Sequence, residues 1–149
     1  MFGVTGIAYS QASQQPFTIT ISASQQTFQA DKQIRIHVVL TNVSDHTIVI
    51  AKSFAPNDAE EYYAIQVYDN NGNDAHKTEF ARSGKKHVTA GSVIIIDLEP
   101  GQKVEEDGYL NGIYDLPPGE YKVQLSRPVS YDPKAEIVTS NKITIIVTE

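Results

Sequence analysis

The sequence predicts an all-β protein, an antiparallel β-sandwich of seven to eight strands, and three observations carry that expectation. Short segments alternate apolar and polar residues with a period of two, the signature of half-buried strands. Turn-forming clusters recur between them, at Asn42–Asp45, Asn70–Asn73, Pro100–Gly101 and Pro117–Gly119. Helical periodicity is nearly absent, since Asn57–Tyr62 and Leu110–Leu116 offer at most one turn each, too little for a helix that stands alone.

Taken in order, Phe17–Ala23 sets Phe17, Ile19, Ile21 and Ala23 on one face and hydroxyls on the other. Ile34–Thr41 repeats the pattern, with Ile34, Ile36, Val38 and Leu40 inward and His37 outward. Thr47–Ala51, Tyr63–Asp69, Ser92–Leu98, Tyr121–Arg127 and Lys142–Thr148 follow as strands, with Val104–Leu110 a weaker candidate. Val93–Ile96 is continuously apolar, which predicts a strand covered on both faces. Asn71-Gly72 reads as a hairpin turn, because both residues tolerate positive φ.

The chain has 149 residues, 12 Lys+Arg against 18 Asp+Glu for a net charge of −6, and no cysteine. That length fits a single domain able to bury a core without a metal or disulfide. Absent cysteine removes thiol nucleophiles, thiolate metal sites and disulfide frameworks. An acidic balance, with a pI near 5.1, argues against nucleic acid as a partner. No apolar run approaches the roughly 20 residues that span a bilayer. Residues 1–16 carry no charge, and Ser10 and Ala12 suit a signal-peptidase site before Ser13. Residues 1–16 therefore read as a flexible N-terminus or signal-peptide remnant, residues 17–149 as the sandwich domain, and the expected location as extracytoplasmic.

The C-terminal half carries Leu98-Glu99-Pro100-Gly101 and then Leu116-Pro117-Pro118-Gly119-Glu120-Tyr121-Lys122-Val123. In this the chain resembles bacterial immunoglobulin-like β-sandwich modules, in which such motifs open two of the strands. It is more loosely similar to the non-catalytic β-domain of deuterolysin-type zinc peptidases. The resemblance implies an immunoglobulin-like fold over Phe17–Thr148 and no particular activity. Gly119 is expected to turn the chain tightly, and the Tyr121 hydroxyl to bond a backbone group a few residues upstream, as in a tyrosine corner. The cysteine pair and tryptophan of antibody-type domains are absent.

Motifs for chemistry fail one by one. His37, His46, His76 and His87 have no His-Glu-x-x-His spacing, so a peptidase zinc site is not expected. Asp69–Asp74 imitates the start of a calcium loop but has Asp74 where glycine is required and Phe80 where glutamate is required. Arg82-Ser83-Gly84-Lys85-Lys86-His87 is the one basic cluster, without the spacing of a phosphate loop. Glu105-Glu106-Asp107 is an acidic run whose neighbours point to opposite faces of a strand, better suited to protecting a sheet edge than to sharing one ion. Asn42-Val43-Ser44 is a formal glycosylation sequon in a turn.

The expected function is non-enzymatic: an exported bacterial binding module acting through loops or an edge strand, with no cofactor or metal. A protein or glycan is the expected partner, and Tyr62, Tyr63, Arg82, Lys85 and Lys86 are the candidate contacts. The alternative is an accessory role in proteolysis, as a peptidase-associated domain or an inhibitor presenting the loop Arg127–Pro133.

Overall fold

The computed structural model describes residues 15–53, 59, 62–83 and 93–149. In chain order the first strands are β1 (Phe17–Ala23), β2 (Thr27–Gln29), β3 (Arg35–Asn42), β4 (Ile48–Ser53) and β5 (Ala64–Tyr68). A one-turn helix α1 (Glu79–Arg82) precedes β6 (Val93–Leu98), β7 (Lys103–Tyr109), β8 (Gly119–Pro128), β9 (Ile137–Thr139) and β10 (Ile143–Thr148). One sheet has the order β1-β3-β7 and the other β2-β10-β8-β5, with β9 also paired to β8; β4 and β6 form a separate ribbon. All pairings are antiparallel except β2 with β10. The protein is therefore an all-β sandwich.

Alternation builds the core. Phe17, Ile19 and Ile21 of β1 and Ile36, Val38 and Leu40 of β3 join Ile65, Val67, Val123, Leu125, Ile145 and Val147 of the second sheet in one buried cluster. Each such aliphatic side chain contributes about 1.5–3 kcal/mol on burial, which replaces the disulfide pin of antibody-type domains.

Asn42 shapes the join between the larger sheets and the ribbon. Its backbone is bonded to Gln102 and Gly101, and Ile48 pairs with Leu98, so residues 43–47 are opposed only by 99–101. This excess bends the paired chains out of the first sheet. Asn42 is fully buried, and its amide donates to the His46 carbonyl at 2.9 Å and the Leu98 carbonyl at 2.7 Å. Its oxygen accepts from Ser44 N and Ser44 Oγ at 2.9 and 2.7 Å. With every bonding position used, Asn42 offers no glycan acceptor in the folded chain. Across the corner, Gly101 at φ 83° completes a turn in which Gln102 N donates to the Glu99 carbonyl at 2.9 Å.

Several expectations are corrected. Ile95 is 67% exposed, because among the described residues nothing is stacked on the outer face of the two-stranded ribbon, so the apolar run is not covered on both sides at Ile95. In the hairpin only Gly72 has positive φ, while Asp69 Oδ1 accepts from Asn71 N and Asn73 N; the turn is a three-residue loop, and Asp69 serves its own backbone. Gly119 has no left-handed φ, and the bend falls at Pro118; Gly119 lies 3.7 Å, measured from an ideal Cβ, from the Tyr121 ring. The Tyr121 hydroxyl donates to the Pro117 carbonyl at 2.5 Å, which is the tyrosine corner. The short strands β2 and β9 and the helix α1 were not expected from the sequence.

Candidate functional site

Strand β7 carries the acidic run, and its pleat divides that run between two environments. Opposite it on the solvent face of the first sheet stand Arg35 and His37 of β3, in register with Tyr109 and Asp107. Arg35 Nη2 donates to Asp107 Oδ2, and His37 Nδ1 lies 2.8 Å from Asp107 Oδ1. His37 Nε2 lies 3.6 Å from Glu105 Oε1. Partial burial of Asp107 opposes its ionisation, yet the hydrogen bonds from Arg35 and His37 hold its carboxyl below the usual range. The bond to Asp107 raises the His37 imidazole above its ordinary value, against a smaller opposing effect of burial.

Glu106 points the other way, into the interior opposite Val38, and is buried. Near that end of the core lies Arg127 of β8, also buried, in phase with Tyr121, Val123 and Leu125. The guanidinium lies over the rings of Tyr62 and Tyr63, 5.3 and 5.1 Å from their centroids. Nη2 donates to the Ala51 carbonyl at 2.7 Å, tying β8 to β4. Burial pushes the Tyr63 phenol up to about 12; Arg127 moderates that rise and Glu106 adds to it. This cluster is a buried brace between layers.

The sheet edges differ in what they leave free. On β1, the Asn141 side chain accepts from Ile21 N at 2.8 Å and donates to Ile21 O at 3.1 Å, occupying that edge as a neighbouring strand would. On β5, the Tyr114 hydroxyl donates to Ile65 O at 2.7 Å and Ala75 N to Val67 O at 2.9 Å. Strand β2, at the other end of its sheet, has three residues. On β7, Leu110 N bonds Ile34 O and Asn42 N bonds Gln102 O, so the even-numbered residues face β3. The backbone groups of Glu105, Asp107 and Tyr109 therefore face outward, and among the described residues they have no partner strand or capping side chain.

The expected contact residues fall apart in space and burial. Tyr62 is half-buried and Tyr63 is 3% exposed, so Tyr63 is a core residue under Arg127 and no surface contact. Arg82 is exposed in the last turn of α1, and Lys85 and Lys86 lie outside the described residues, as do residues 1–14. In the loop considered for a protease, Arg127 is buried, and Pro128 and residues 130–133 are exposed, Tyr131 at 86%. At the corner, Ser44 Oγ bonds Asn42 Oδ1 and the His46 carbonyl and does not meet the imidazole, so Ser44-Asp45-His46 is no nucleophile device. Among the described residues no group of three or more His, Asp or Glu side chains is placed to hold a metal ion. Likewise among them, no helix is long and apolar enough to cross a membrane.

No family model and no curated protein matches the sequence. The fold is similar to the crystal structure of the C-terminal domain of Wzt, with a TM-score of 0.53 and 13% identity over 91% of this chain and 75% of that one. It is also similar to a CARDB domain from Pyrococcus furiosus in complex with di-metal ions, with a TM-score of 0.46 and 12% identity over 89% and 87% of the two chains. At these identities the first likeness speaks for a β-sandwich fold and the second adds nothing to it. The peptidase-domain likeness is not shown.

Proposed function

We propose that this chain is a non-enzymatic binding module that takes up an extended segment along the open edge of β7. The observation that carries the reading is the contrast among edges: side chains or loop groups bond the outward backbone of β1 at Ile21 and of β5 at Ile65 and Val67, and among the described residues nothing bonds that of Glu105, Asp107 and Tyr109 on β7. Outward N–H and C=O groups on a strand edge are a template for strand addition, with main-chain bonds supplying affinity and alternate side chains supplying selectivity. Hydrogen exchange tests this on the intact chain. In the free protein the amides of Glu105, Asp107 and Tyr109 should exchange fast, while those of Glu106 and Gly108, which face β3, should be protected. A peptide selected from a short-peptide display library should slow the first three. Protection confined to the 130–136 loop would reject the edge as the site. The same proposal places the module outside the cytoplasm, on Ser10 and Ala12. N-terminal sequencing of the protein from its native cells should begin at Ser13, and an intact Met1 would reject that placement.

A further inference from the structure

We infer that the segment taken up by β7 is basic, setting a lysine or arginine opposite Glu105, and that it is not a second copy of this chain. The inference rests on the strand-addition reading and specifies its partner. On the outward face of β7, Asp107 is nearly covered and is satisfied by Arg35 and His37, with 12% of its side chain exposed. Glu105 differs: 54% of its side chain is exposed, and its ionic neighbour is His37 Nε2 at 3.6 Å. A strand added beside β7 would place a side chain roughly 5 Å from the Glu105 Cβ, within reach of a carboxylate for an ammonium or guanidinium group. On the other face, the inward charge of Glu106 discourages indiscriminate pairing with wholly apolar strands.

Self-pairing is disfavoured by the same charges. An antiparallel register running the length of β7 against its own copy sets Glu105 beside the partner's Asp107, and like charges directly opposed are destabilising. Setting Lys103 beside the partner's Glu105 uses only the start of the strand, where the Glu99–Gln102 turn ends it. His37 then tunes the site. The charged groups around it are Arg35 on its own strand and Glu105 and Asp107 on β7, whereas β1 sets Ser22 directly opposite, with no charge. A protonated imidazole competes for Glu105, so a basic segment binds more tightly as pH rises and His37 loses its proton. Asp107 raises the imidazole, which moves that transition above the ordinary histidine range.

The test pans a short-peptide display library on the full chain. Enriched peptides should be extended in composition and share a Lys or Arg at one position. A synthesised peptide from that set should bind about fivefold more weakly after its Lys→Glu change, and similarly to the Glu105→Gln protein, the upper end of a cross-strand charge effect. Its affinity should rise with pH, and His37→Gln should flatten that rise. Glu105→Pro removes an outward N–H together with the carboxylate, and should abolish binding where Glu105→Gln only weakens it; circular dichroism checks its fold, and a backbone N-methylated peptide, which leaves Glu105 in place, tests the main-chain bonds alone. Binding lost with Glu105→Pro but indifferent to Lys→Glu overturns the basic partner and leaves strand addition standing. Binding indifferent to both Glu105→Pro and N-methylation overturns strand addition itself. A dimer in solution that Glu105→Pro dissociates makes the occupant a second copy and overturns this inference, and no enrichment on a monomeric chain overturns both.

Discussion

The two faces of β7 hold similar charges under opposite conditions. Outside, Arg35, His37, Glu105 and Asp107 form an ionic row that solvent reaches. Inside, Arg127 and Glu106 are withdrawn from water near Tyr63. A pair open to water contributes at most about 1 kcal/mol and is screened by salt. A buried cation contributes more when its contacts hold, and its loss exposes a larger deficit because its neighbours have no water to turn to. The outer row is thus free to serve recognition, while the inner cluster ties the layers together.

Replacing Arg127 should show the difference most sharply. Arg127→Met keeps volume but deletes the bond to the Ala51 carbonyl and the stacking on Tyr62 and Tyr63. A hydrogen bond from a charged group contributes about 1.5–3 kcal/mol, and a desolvated cation–π contact about 2 kcal/mol. Relief of the guanidinium's desolvation offsets part of this, so we expect a loss of about 3 kcal/mol, read as a lower urea midpoint at constant slope. A loss under about 1 kcal/mol would place the inner cluster on the same footing as the outer row.

Alkaline titration probes the inner cluster without a mutation. Tyr63 is held near 12 in the folded chain, above the value of about 10 for an unfolded tyrosine. Because the folded value is raised, this contribution is complete below about pH 10 and is lost as pH rises through 12. At its fullest it amounts to about 2.7 kcal/mol, two units at 1.36 kcal/mol each. Tyrosinate absorbance should show a late step that Tyr63→Phe removes. If that variant leaves the titration curve unchanged, Tyr63 is not the deeply buried phenol of this cluster.

How far the sequence revealed these regions depended on phase. The alternation of β1 and β3 exposed the core directly, because a period of two survives whatever the strands pack against. The polar residues inside the core are legible by the same rule. Arg127 continues the inward series Tyr121, Val123, Leu125; Glu106 lies between Val104 and Gly108; and Asn42 follows Ile36, Val38 and Leu40. A polar residue in phase with an apolar series marks a buried polar contact. The burial of Tyr63 is hidden in the sequence because its cover, Arg127, is distant in the chain. The exposure of Ile95 is hidden too, because an apolar run does not reveal how many layers lie above it. The contrast between the edge of β7 and the others could not be read, since it depends on Asn141 and Tyr114 reaching Ile21 and Ile65 from far along the sequence. The charged run at Glu105–Asp107 was the one local sign that an edge strand lay there.

The smallest expected effect lies on the outer face and tests whether that face is as weakly coupled to stability as its exposure implies. The folded value of His37 is raised, so its contribution is complete below the unfolded imidazole value of about 6.5 and fades as pH rises through the higher folded value. Asp107 acts in the reverse sense: its folded value is lowered, so its contribution holds above the unfolded carboxylate range and fades as pH falls through the lower folded value. Between these limits both groups are charged and the row is complete. The His37 side chain is 39% exposed, and solvent screening keeps its share under about 1 kcal/mol. His37→Gln should therefore lower stability slightly at mildly acidic pH and not at all in alkali, with the small difference shrinking further in high salt. Urea unfolding across that pH range measures it. A loss comparable to that of Arg127→Met would mean that the outer row braces the fold as the inner cluster does, and the division of labour across β7 would not hold.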